Sequence, residues 1–399
     1  MIEQLYSLTI FRNLYNSHLF KAIIDLYDCF VYNRSTQEVL NKYTALVNIV
    51  YDEGEGNLSN LILKLVNEDD NIYIRKIANG EKVNSEIEHA LKRDLLILNN
   101  LANSHGRDLL GNKITNMNLP DWEISNTDLH RSYRKTIQNV NKLGYGVFAK
   151  YNVFRIKKGE LYHVSNPDPQ SMDELYGYEG NKKMLYDNTK AFLKGIKASN
   201  ALLYGAAGTG KSSTVKAVCN SLFTEGLRLV ELDPEQIAYL PDIMEELSKT
   251  PLKFIIFIDD LSFEKADEKY CILKGILEGK SSSYNSNTLI YTTSNRRHLL
   301  NESHSERLSD SIHLAETLQE NMSLASRFGL TIAYLNPDKD EYINILLELL
   351  KETALNIPKE ELVYGAEAFA IRKNGRSPRT AKQYIEKLSV ESTINKTSL

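Results

Sequence analysis

Cysteine is scarce. The 399-residue chain has three, Cys29, Cys219 and Cys271, far apart and without the short spacings of a metal site. That excludes a disulfide framework as the organising feature and fits a reducing compartment. Long apolar runs are also missing: none approaches the ~20 residues of a membrane span. Glu3 and Arg12 interrupt the apolar pattern at the start, which therefore reads as no secretory signal. These absences make a cytoplasmic protein without membrane contact the expectation. Positive charge is not in excess either. Lys and Arg number 48 against 52 Asp and Glu, a net charge of −4, so no global field advertises nucleic acid. The basic cluster His130–Lys135 reads as a solvated helix face. Nothing repeats at a fixed period.

What is present is ordinary for a soluble globular protein: 42% hydrophobic and 25% charged residues, and length for two or three domains. Residues 1–135 carry apolar positions at helical spacing: Leu5, Leu8, Phe11 and Leu14, then Leu19, Ile23, Leu26 and Phe30. Ser35 with Glu38 is a capping-box signature that opens a helix through Val50, and DEGEG (52–56) breaks it. Residues 57–66 and 86–101 are further helices. Residues 145–164 alternate with period two around a KKGE turn and predict a hairpin. SNPDPQS (165–171) reads as a linker. The expected division is a mainly helical N-terminal domain with the hairpin over 1–170, a nucleotide-binding core over 171–336, and a helical lid over 337–399.

The core alternates strands and helices. Strands this apolar on both faces predict a parallel sheet covered by helices, an α/β fold. An apolar run at 201–204 leads into GAAGTGKS, which fits G-x-x-x-x-G-K-[ST]. Gly205, Gly208 and Gly210 permit the tight turn, while Ala206 and Ala207 keep side chains out of the way. Thr209 and Ser213 complete the loop and the start of the helix. The N-terminus of that helix points free N–H groups at the same place. Lys211 is placed on the β- and γ-phosphates and the Ser212 hydroxyl on Mg²⁺. FIIFIDD (254–260) brings two carboxylates to the carboxyl edge of the sheet. Asp259 is placed on the metal, and Asp260 on the attacking water as its orienting group or base. TLIYTTSN (288–295) ends in Asn295, placed between the γ-phosphate and Asp260.

These motifs, in this order, resemble the AAA+ ATPases: a five-stranded parallel P-loop core with a C-terminal helical lid. SRFGL (326–330) resembles the arginine-finger segment, which implies that Arg327 contacts the γ-phosphate held by a neighbouring subunit. GRSPRTAKQ (375–383) resembles the sensor-2 helix, which implies that Arg379 contacts the phosphates of its own chain. LYGYEGNK (175–182) resembles the segment that packs beside the adenine. DDLSFE, YTTSNRRHLL and SRFGL together resemble a bacterial family of stand-alone AAA+ ATP-binding proteins with a helical N-terminal region. Asp260 stands where Glu is more usual, a departure that bears on hydrolysis rather than binding. Arg296 and Arg297 read either as lining the nucleotide or subunit face or as solvated surface, with Glu264 as a pairing candidate for either, and the polar insert 301–320 reads as a loop or short helix near the site, facing solvent or a partner.

The resemblance implies an ATP- and Mg²⁺-dependent hydrolase that works as a homo-oligomer on a protein client. No N-K-x-D guanine motif follows the sheet, which favours ATP. Two other readings remain: a nucleotide-gated scaffold or loader with little hydrolysis, and a nucleic-acid remodeller, which the charge balance does not support.

Overall fold

A computed structural model describes residues 2–110, 117–263, 268–279, 287–295, 324–353, 355–373 and 375–397. Glu264, Arg296, Arg297 and the insert 301–320 lie outside these residues. The chain divides into two units, Met1–Lys150 and Tyr151–Leu399.

The first unit is helical, with α1 His18–Val31, α2 Thr36–Gly54, α3 Leu58–Asn67, α4 Ile72–Ala78, α5 Ser85–Ala102 and α6 Leu129–Gln138 as its main helices. Polar residues start them, at Ser35 as the sequence predicts. Ser35 and Glu38 form the reciprocal capping box, and Ser17, Asn57, Asn71, Asn84 and Asp128 each accept an amide of the first turn. The helical spacing over the first 33 residues is broken, however. A short helix, Ile2–Leu5, is followed by turns and a 3-10 segment at Arg12–Asn16. The reason is Asp94: its buried carboxylate accepts the N–H groups of Thr9 and Ile10, both at 2.7 Å, so a side chain takes the bonds a helix would have used. The basic cluster lies on α6, where Tyr133 points into the core and His130, Arg131, Arg134 and Lys135 are exposed.

The second unit is a seven-stranded sheet in the order β2-β1-β4-β5-β6-β3-β7. Its strands are β1 Val153–Lys157, β2 Glu160–His163, β3 Ala201–Gly205, β4 Leu227–Leu232, β5 Lys253–Ile258, β6 Thr288–Ser294 and β7 Leu330–Tyr334. The five strands β3 to β7 are all parallel, and β5 and β6 are buried along nearly their whole length. Helices α7 Glu179–Leu193, α8 Lys211–Leu222, α9 Leu240–Ser248 and α10 Glu268–Leu277 belong to this layer system. Three C-terminal helices follow: α11 Lys339–Lys351, α12 Lys359–Arg372 and α13 Pro378–Thr397. Tyr342, Leu346, Leu362 and Ala366 lie in their own small core.

The hairpin departs from the expected division. It is not the end of the helical N-terminal domain but the edge of the core sheet, with β1 parallel to β4 and Val153 opposite Leu229. Without it, β4 would expose an unpaired backbone edge. The strand also begins later than the alternation implies. Gly144 and Gly146, both at positive φ, turn the chain, and Val147–Lys150 is a short helix. SNPDPQS is therefore a surface strap inside the second unit. The Asn220 amide holds it by donating to the carbonyls of Asp168 and Gln170.

Candidate functional site at the carboxyl edge of the sheet

Strand register assembles the site. β6 lies between β3 and β5, with Tyr204 opposite Ser294 and Ile258 opposite Thr292. Gly205, the last residue of β3, and Asp259 and Asn295, the first beyond β5 and β6, therefore lie side by side at the carboxyl edge of the sheet, where ligands of open parallel sheets bind.

The loop after β3 requires its glycines. Gly205 has φ 134°, and a Cβ there would lie 2.1 Å from the Tyr334 carbonyl oxygen. Gly208 and Gly210 have φ of 80° and 89°. The Ala206 amide donates to Tyr334 O at 2.9 Å, tying the loop to β7, and Thr209 Oγ1 donates to Ala206 O at 2.8 Å. Ala207 is exposed, and Ser213 lines the cavity described below. Lys211 opens α8. Its Nζ donates to Gly205 O at 2.9 Å, Ala206 O at 2.8 Å and Asn295 Oδ1 at 3.2 Å. Burial pulls its pKa below the usual lysine value, helped by the charge of Arg379 and opposed by Asp260 and Asp259.

Facing it, the Ser212 hydroxyl donates to Asp259 Oδ1 at 2.6 Å. The Asn295 amide donates to Asp260 Oδ1 at 2.8 Å, so one side chain joins Lys211 to Asp260. Asp260 has φ 50°, in the left-handed region. Hydroxyl and carboxylate oxygens are the hard donors Mg²⁺ accepts, and it takes few of them when phosphates and water supply the rest. Ser212 and Asp259 fit that role.

Arg379 stands at the start of α13, with its amide donating to Gly208 O at 3.2 Å; a Cβ on Gly208 would meet its Cβ at 3.2 Å. A cation in a first helical turn opposes the helix dipole, and a neighbouring anion would offset that. A cavity of about 490 Å³ runs from the loop to the C-terminal helices, lined by Tyr176, Tyr178, Thr209, Ile345, Leu349 and Arg379. Tyr178 is held in the left-handed region with φ 57°, and its hydroxyl donates to Leu335 O at 2.6 Å.

Arg327 is not in this group. It precedes β7, whose Leu330 pairs with Ala201 at the amino end of β3, and it forms an ion pair with Glu278 at 2.8 Å. The length of β3, about 13 Å, separates that edge from the glycine loop.

Two features had no assigned role in the sequence reading. Thr293 is buried, and its hydroxyl donates to Asp259 Oδ1 while accepting the Asp260 amide at 2.8 Å. Glu231 bridges Arg155 of the hairpin at 2.7 Å and Lys216 of α8 at 2.9 Å, beside a cavity of about 370 Å³ that also reaches Asp259. Burial works against the Glu231 charge, and these two cations overcome it, holding its pKa below the usual range. A threonine in an apolar strand reads as a β-former, and a glutamate at a strand end reads as surface.

A curated relative, the replication factor C large subunit of Nanoarchaeum equitans, is 34% identical over 97 residues, which is 23% of this chain and 23% of that protein. The chain thus spans about a quarter of the length of that relative. Among solved structures, the Holliday junction branch migration motor RuvB of Thermotoga maritima is 19% identical, with 57% of this chain and 67% of that chain covered at a TM-score of 0.39. DnaA of Aquifex aeolicus bound to AMPPCP is 17% identical, with 56% and 66% covered at a TM-score of 0.38. A family model described as "Protein of unknown function (DUF815)" matches residues 148–392. That span takes in the hairpin, the glycine loop, the acidic strand end and nearly all of the C-terminal helices, so the chain belongs to the DUF815 family.

Proposed function

We propose that this chain binds ATP with Mg²⁺ at the carboxyl edge of its sheet, hydrolyses it, and does so as a homo-oligomer. The observation that carries this reading is the convergence of Lys211, Ser212, Asp259, Asp260 and Asn295 through direct hydrogen bonds. Lys211 and the amides of Gly208–Ser213 would hold the phosphates; Ser212 and Asp259 would hold the metal, which would supply charge neutralisation. Asp260 orients the attacking water and takes its proton, with Asn295 fixing the carboxylate. Arg379 adds a donor fork from the C-terminal helices. Tyr178, Ile345 and Leu349 line the cavity that would take the nucleoside.

The place of Arg327 supports an assembly. An arginine at the amino edge cannot reach the phosphates of its own chain, but it can meet those of a second copy. A cytoplasmic setting and a protein client complete the reading. No helix among the described residues is long and apolar enough to cross a membrane. Nucleic acid has only the weak case of a chain with net charge −4.

A second reading, a nucleotide-gated scaffold or loader with little turnover, rests on Asp260. Its carboxylate is shorter than the usual glutamate and is held by Asn295. Steady-state phosphate release separates the two. Turnover that Lys211→Ala and Asp260→Asn both abolish supports the hydrolase. Tight binding without turnover in the parent chain supports the scaffold, and neither binding nor turnover overturns both.

A further inference from the structure

We propose that Thr293 is a positioning residue for the metal carboxylate, fixing Asp259 and the turn behind it; this rests on the Mg²⁺–nucleotide reading of the site. Three bonds from one residue of β6 define that turn. The Thr293 hydroxyl donates to Asp259 Oδ1, and the same oxygen accepts the Asp260 amide at 2.8 Å. The Thr293 carbonyl accepts the Leu261 amide, also at 2.8 Å. Three consecutive residues after β5 are thus set by one residue of the neighbouring strand.

The neighbouring threonine shows what an ordinary buried hydroxyl does. Thr292, fully buried, sends its hydroxyl to the Ile258 carbonyl at 2.8 Å and so satisfies itself on backbone. Thr293, one residue on and facing the other side of the sheet, spends its proton on a carboxylate instead. A charge-assisted bond of this kind is roughly twice as strong as a neutral one. Its branched Cβ limits rotation, so the hydroxyl arrives preset. Asp259 Oδ1 has a second donor, the Ser212 hydroxyl at 2.6 Å. Ser212 is itself placed on the metal, which leaves Thr293 as the donor with no other duty. The left-handed Asp260, φ 50°, sits over this hydroxyl, so the residue that holds the metal carboxylate also sets where the catalytic carboxylate begins.

The test is equilibrium binding of a fluorescent ATP analogue to the full chain, titrated with Mg²⁺ and repeated in EDTA. Thr293→Val removes both hydroxyl bonds at nearly constant volume. It should leave affinity in EDTA within about twofold of the parent and raise the Mg²⁺ requirement about tenfold, the worth of one charge-assisted bond. Thr293→Ser, which keeps the hydroxyl, should stay near the parent. In an Asp259→Asn background, Thr293→Val should add nothing to the Mg²⁺ requirement. A Val variant with the parental Mg²⁺ requirement overturns the proposal, as does one that loses affinity equally with and without Mg²⁺. Should Val unfold the chain, Ser decides: a tenfold rise with the hydroxyl retained overturns it. A parent chain that binds no nucleotide under either condition removes the underlying reading, and the role of Thr293 with it.

Discussion

Lys211 and Asp69 show how differently two buried charges are used. The Lys211 amine bonds two carbonyls of its own loop and the Asn295 side chain, so a phosphate bound there would have to replace partners already in place. Lys211→Ala removes the only ammonium within the loop and should weaken ATP binding by roughly 100-fold, read by equilibrium binding. Asp69 lies in the other unit, where burial raises its pKa from 3.8 to about 6; Asp70 adds to the rise, while the Asn71 amide, Lys150 and Arg75 oppose it. A raised carboxyl favours the protonated native state. Its contribution is complete below the unfolded value near pH 4 and is lost as pH climbs through about 6. Across that window the first unit should lose about 2–3 kcal/mol attributable to Asp69, and Asp69→Asn should lack that slope. The single tryptophan, Trp122, is buried in that unit's core, so its fluorescence during urea unfolding of the full chain follows the right transition.

Elements show which parts of the fold were legible in sequence. Ser35 with Glu38 announced a capping box because its signal is local, and the pairing of side chain and backbone is as expected. The glycine loop was equally local. The hairpin was legible as a hairpin but not as the sheet's edge, since period two does not say which strand it joins. The break at residues 6–17 was hidden because its cause, Asp94, lies more than eighty positions away. Thr293 was hidden for the same reason: its partners are on another strand. Glycine contacts give a test at this scale. At Gly210 a Cβ meets nothing within 4 Å, so Gly210→Ala bears only its left-handed backbone, about 1 kcal/mol. Gly205→Ala combines φ 134° with a clash against the Tyr334 carbonyl and should cost at least about 2–3 kcal/mol by thermal unfolding of the second unit. Equal losses would mean that β7 yields where it meets the loop.

The whole molecule has its candidate catalytic groups at two edges of one sheet. The glycine loop, Asp259, Asp260 and Asn295 are at the carboxyl edge, while Arg327 is at the amino edge with Glu278. Turnover should therefore depend on chain concentration. Arg327→Ala should lower it by about 10³ while leaving nucleotide affinity within about tenfold. Mixing Arg327→Ala with Lys211→Ala chains should restore measurable phosphate release, because the second lends its arginine to the intact loop of the first. No recovery at any ratio would place Arg327 outside the chemistry.

Everything proposed here needs the turn at residues 205–212 to hold a triphosphate opposite Asp259. Titrating ATP with Mg²⁺ into the full chain by calorimetry tests it most directly. One site per chain is expected, weakened when Mg²⁺ is withheld and roughly 100-fold weaker in Lys211→Ala. No heat from the parent chain, or the same isotherm from parent and variant, would contradict it.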